Sequence, residues 1–113
     1  MAKSHAAEWL ALMRRSEVVG YVRIDGADNF HELGRFRAGP AFAECGEQLA
    51  EVYRRCAADA DDWLDALEAI DDLGLQLVDS TGQARNIRDF QLQALEQVHD
   101  PGGVPVEFKF LGA

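Results

Sequence analysis

The sequence is short of the residues that build covalent or metal-linked frameworks. Its two cysteines, Cys45 and Cys56, fall in one stretch that reads as a helix. Eleven residues there span about 16 Å at 1.5 Å per residue, too far for a disulfide. Both read as small buried hydrophobes in a reducing compartment. The three histidines, His5, His31 and His99, stand apart, without the H-x-x-x-H or C-x-x-C spacing of a zinc site. No G-x-G-x-x-G, phosphate-binding loop or G-x-S-x-G is present, which removes the usual footing for dinucleotide, nucleotide and hydrolase chemistry. The acidic run from Asp59 lacks the sixth-position glycine of an EF-hand and has Ile70 where its glutamate belongs. No metal and no cofactor is expected. Apolar runs stay far below the eighteen or so residues of a membrane span, and the N-terminal patch is interrupted by Glu8 and followed by Arg14 and Arg15, unlike a secretory leader. The expected location is the cytoplasm, in a protein of bacterial type.

Positive charge is the other scarcity, and it is local. Residues 1–58 hold eight basic and eight acidic side chains, whereas residues 59–113 hold three basic and twelve acidic, so the second half carries the whole net charge of -9. From Asp59 to Asp79 there is neither Lys nor Arg. Such a field repels nucleic acid and anionic membranes and favours a basic partner. Within 113 residues, 48% apolar and 27% charged side chains make an ordinary globular composition, enough for one domain over 1–113 with a modest core.

The clearest periodicity lies in Pro40–Ala58. Phe42, Cys45, Leu49, Val52, Tyr53 and Cys56 recur at three- and four-residue steps, which predicts an amphipathic helix over 41–58 begun by Gly39-Pro40. A first helix is expected from a Ser4 cap to Arg15, with Ala6, Trp9, Leu10 and Met13 as its stripe. A third is expected over 61–73, capped by Asp59 or Asp61 and ended at Gly74, with Trp63, Ala66, Leu67, Ile70 and Leu73 on its apolar face. Period-two alternation predicts strands over 17–24, 75–78 and 104–111, with a hairpin partner for the first within 30–38. Residues 89–94 read as a strand, and a helix over 89–98 fits the same residues. Pro105 has no N–H for a ladder, which suggests a sheet edge for the last strand. The expected fold is α+β, a mainly antiparallel sheet of about four to five strands with two to three helices on one face. The alternative is α/β with 89–98 helical.

Two clusters invite functional readings. Asp61, Asp65, Glu68 and Asp72 fall within about 60° of arc on the third helix, with Asp71 beside them. Acidic residues at its start suit the helix dipole, but Asp71 and Asp72 sit at the C-terminal end, where each costs a few tenths of a kcal/mol. Together with Trp63 as an apolar anchor, this stripe suits docking of a basic protein, as in a non-enzymatic inhibitor, immunity or adaptor module. The alternative is a small enzyme or ligand-binding domain in which His31 works beside Glu32 while Arg35 and Arg37 hold an anion. A homo-oligomer through an exposed strand 104–111 is a further possibility.

Overall fold

The computed structural model describes residues 8–27, 31–58, 63–93 and 96–110. Its strands are β1 (Trp9–Arg14), β2 (Glu17–Ala27), β3 (Glu32–Ala38), β4 (Leu75–Val78), β5 (Ala84–Leu92) and β6 (Val104–Phe110). They form a closed antiparallel barrel in the order β1-β2-β3-β6-β5-β4. Helices α1 (Phe42–Ala57) and α2 (Trp63–Asp71) connect β3 to β4. The expected open α+β sheet with two to three helices on one face is therefore corrected, and so is its α/β alternative.

The largest local change is at the N-terminus, where β1 replaces the expected first helix; its Ser4 cap and Ala6 lie outside the described residues. Trp9, Leu10 and Met13 fit a helical stripe, but Leu10 and Leu12 alternate with Trp9 and Ala11 just as well. Leu12 is fully buried, and β1 pairs along its length with β2, from Trp9↔Arg23 to Arg14↔Glu17. Burying such a side chain is worth about 1.5–3 kcal/mol, more than the fractions of a kcal/mol by which Ala, Leu and Met favour a helix. The turn hides its signal, because Arg15 rather than a glycine takes the positive φ of 58° that the two-residue loop requires. In the second half, β5 starts at Ala84, five positions before the expected 89, and buries Ile87, Phe90 and Leu92. That pattern excludes the helix over 89–98.

The barrel consists of two three-stranded meanders, β1-β2-β3 and β4-β5-β6, joined by two seams, β1–β4 and β3–β6. Closure gives both apolar faces one shared interior and, among the described residues, gives every strand a partner on both sides. Inward residues form rows: Leu77–Leu12–Gly20–Ala38, Leu10–Val22–Phe36–Val104, and Ile24–Gly34–Val106–Leu92. Gly20 and Gly34 are small of necessity. A Cβ at Gly20 would overlap the Phe36 ring, and one at Gly34 would overlap the Arg23 carbonyl. Phe36 fills the space beside Gly20 and meets Phe90 edge-on with ring centroids 5.6 Å apart.

Pro105 is not at an edge, since β6 lies between β3 and β5. Its carbonyl accepts the Gln93 N–H at 2.8 Å, just beyond the end of the β5–β6 ladder at Leu92↔Val106. The reciprocal bond that Pro105 cannot donate would fall at Gln93, and the β5–β6 ladder ends there. The backbone edge that a homo-oligomer would need along this strand is occupied on both sides.

The helices attach to one end of the barrel, because the chain leaves at Ala38 and returns at Leu75. Gly39 and Ala41 donate their N–H groups to the carbonyls of Val19 and Val18, each at 2.8 Å. Cys45, Leu49 and Val52 of α1, with Leu67 and Ile70 of α2, join the barrel core as the helical stripes require. The side chains of Tyr53, Cys56 and Ala66, expected on the same stripes, lie outside the described set. Gly74 follows α2 with φ +71°, the left-handed stop expected there. Among the described residues, no helix is long and apolar enough to cross a membrane.

Candidate functional site

The acidic surface is built by α2 and β5. Because α2 turns Leu67 and Ile70 inward, Leu64, Asp65 and Glu68 turn outward. Leu64 is 56% exposed, the more exposed of the two large apolar side chains on the described surface. A groove of about 400 Å³ runs between α2 and β5, lined by Leu64, Asp65, Leu67, Glu68, Asp71, Arg88 and Asp89. Asp72 is exposed just past the helix. Asp61 lies outside the described residues, as does the side chain of Trp63, which opens α2.

Asp71 has a different task from its neighbours. It is half-buried, and its Oδ1 accepts the N–H of Asp89 at 2.8 Å. Asp89 holds φ +55° inside a β5 bulge, where the register to β6 slips between Arg88 and Gln91. An extra residue in a strand leaves a backbone group without a ladder partner, and the Asp71 carboxylate supplies one. The Asp89 carboxylate in turn lies 3.5 Å from Lys109 Nζ and 3.7 Å from Arg88 Nε. Asp71 thus couples helix to barrel, and this compensates for its position at the C-terminal end of the helix.

The alternative cluster lies on other strands and does not converge. His31 Nδ1 is 3.9 Å from Glu107 Oε2, at one end of β3. Arg35 donates from Nε and Nη2 to the carbonyls of Gly102 and Gly103, at 3.0 and 2.8 Å, and so clamps the turn before β6. Arg37 lies over two rings, with its guanidinium carbon 4.6 Å from the Trp9 centroid and 5.1 Å from that of Tyr21. Glu32 has the opposite orientation: its partners Ala27 and Phe108 put it in phase with the interior. A His31–Glu32 pair is not formed. The Trp9–Tyr21–Arg37 stack is not legible in the sequence, because Trp9 fits a helical stripe as well as it fits a strand.

The barrel end away from the helices forms a third feature, one that periodicity alone does not reveal. Leu10, Ile24, Leu77 and Phe110 line an opening of about 340 Å³, with Glu32, Asp79, Gln83 and Arg85 at its margin. Arg85 pairs with inward Leu77, and its guanidinium carbon sits 3.7 Å from the Phe110 ring centroid. The signal that could have found it is a charge in phase with an apolar face: Arg85 two before Ile87, and Glu32 four before Phe36. Asp79 is engaged locally. Its Oδ1 accepts from Thr81 Oγ1 at 2.6 Å, Thr81 N at 2.9 Å and Gln83 N at 3.0 Å. These bonds, the Thr81 hydroxyl first, hold its carboxyl below the ordinary value.

The Cys45 thiol is buried in the core and pushed up by that burial, which keeps it protonated and inert. Among the described residues, no group of three or more His, Cys, Asp or Glu side chains is placed to hold a metal ion. No protein-family model matches the chain, and no curated protein or solved structure matches it either.

Proposed function

We propose that the chain is a non-enzymatic acidic binding module, of inhibitor, immunity or adaptor type, that docks a basic protein segment against α2 and β5. The observation that carries this reading is Leu64, an exposed leucine beside a groove floored by Leu67 and flanked by Asp65 and Glu68. An apolar anchor inside a ring of charge is the usual anatomy of a specific interface. The carboxylates steer a basic partner and set its orientation, while the leucine supplies the desolvated contact. The proposed contact set is Leu64, Asp65, Glu68 and Asp72. Asp71 acts behind them as a positioning residue, and Asp61 and Trp63 belong to the surface by sequence alone. The proposed setting is the cytoplasm, where a free thiol such as Cys45 persists.

The test compares the wild-type chain with a D65N/E68Q/D72N variant and with Leu64→Ala as baits at about 50 and 300 mM salt, a change that roughly halves the Debye length. The expected result is a basic protein held by the wild type at low salt, lost with the triple variant and weakened by the leucine truncation. Retention of the same proteins by all three baits rejects the proposal.

A further inference from the structure

We propose that the open end of the barrel is a binding site for a small apolar zwitterion of α-amino-acid type, independent of the acidic groove. The alternating strands bring the starts of β1, β3 and β5 and the ends of β2, β4 and β6 to this one end, opposite the helices. The opening of about 340 Å³ lies at the lower end of the range of roughly 300–1,000 Å³ for small-molecule pockets, and barrel mouths are among their usual places. Leu77 forms a buried floor, while Leu10, Ile24 and Phe110 form half-buried walls.

The charges decide the ligand class. Glu32 and Arg85 both sit on the inward phase of their strands, on opposite meanders, at the margin of the opening. Among the described residues, neither has an ion-pair or hydrogen-bond partner, and the Arg85 guanidinium rests on the Phe110 ring. Asp79 is engaged with Thr81 and Gln83, so among the described residues that line the mouth Glu32 is the free carboxylate. A purely anionic guest would satisfy Arg85 and face Glu32 uncompensated; a purely cationic guest would do the reverse. A guest with both an ammonium and a carboxylate satisfies the two together, by charge-assisted hydrogen bonds to Glu32 and Arg85. Its apolar side chain then covers Leu77 and the adjoining walls.

The test titrates the full chain with L-leucine and L-phenylalanine, followed by calorimetry and by backbone amide NMR shifts. N-acetyl-leucine, which lacks the cation, and leucinamide, which lacks the anion, serve as blocked controls. For a ligand of so few atoms, the expected dissociation constant is on the order of 0.1–1 mM, with shifts confined to the mouth strands. Each blocked control should bind at least about tenfold more weakly, the scale of one lost charge-assisted bond. Glu32→Gln should abolish the discrimination against N-acetyl-leucine alone, and Arg85→Gln that against leucinamide alone. Absence of binding by both amino acids, equal binding of the blocked controls to the wild type, or shifts centred on α2 overturns the proposal. The blocked ligands act on the unaltered chain, so the outcome does not depend on either variant folding.

Discussion

Asp79 shows how a single polar side chain stabilises the hairpin between β4 and β5. Its Oδ1 gathers the Thr81 hydroxyl, the Thr81 N–H and the Gln83 N–H, while Gly82 takes φ +88° to complete the turn. A carboxyl held below its ordinary pKa of about 3.9 stabilises the fold above that value, and the contribution fades as pH falls through the lowered folded value. Asp79→Ala should therefore melt below the wild type at pH 7, with a difference that shrinks as pH drops from about 4 towards 2. Melting curves across that range check this, and a pH-independent difference would refute it. The Asp-Ser-Thr-Gly turn is legible in the sequence, since its residue types act through their own side chains and φ preferences. Arg15 is the contrary case: it adopts a glycine-like φ in the turn between β1 and β2, and nothing in its chemistry announces it.

At the scale of the element, α2 carries two kinds of carboxylate. Asp71 holds the Asp89 N–H in the β5 bulge, whereas Asp72 is exposed just past the last turn of the helix. Asp71→Ala should destabilise by about 1.5–3 kcal/mol, the range for a hydrogen bond to a charged group. Asp72→Ala should be neutral or stabilising by a few tenths of a kcal/mol, because it removes a negative charge from the C-terminal end of the dipole. Chemical denaturation of the two variants separates these cases, and equal losses would mean that Asp71 is not a coupling residue. Periodicity locates both helices and their buried stripes, because a stripe at 100° per residue depends only on the segment itself. It does not divide the acidic face into docking and coupling residues, since the group that Asp71 serves lies 18 positions away.

For the whole molecule, the seams decide the architecture. Leu12 pairs with Leu77 and Phe36 with Val104, each across more than sixty residues of chain. Such non-local pairing slows folding, so refolding should take milliseconds to seconds rather than microseconds. Stopped-flow fluorescence measures it directly, and microsecond relaxation would contradict the closed topology. Neighbours along the chain suffice to specify the two helical stripes, the strands β2, β4 and β6, the turns at Asp79–Gly82 and Gly74, and the concentration of negative charge after residue 58. They do not suffice to make β1 a strand, to place Pro105 inside a closed sheet, or to bring Glu32 and Arg85 to one barrel end. Those outcomes depend on which segment lies opposite in the folded chain, and local propensities of a fraction of a kcal/mol yield to burial worth several times as much.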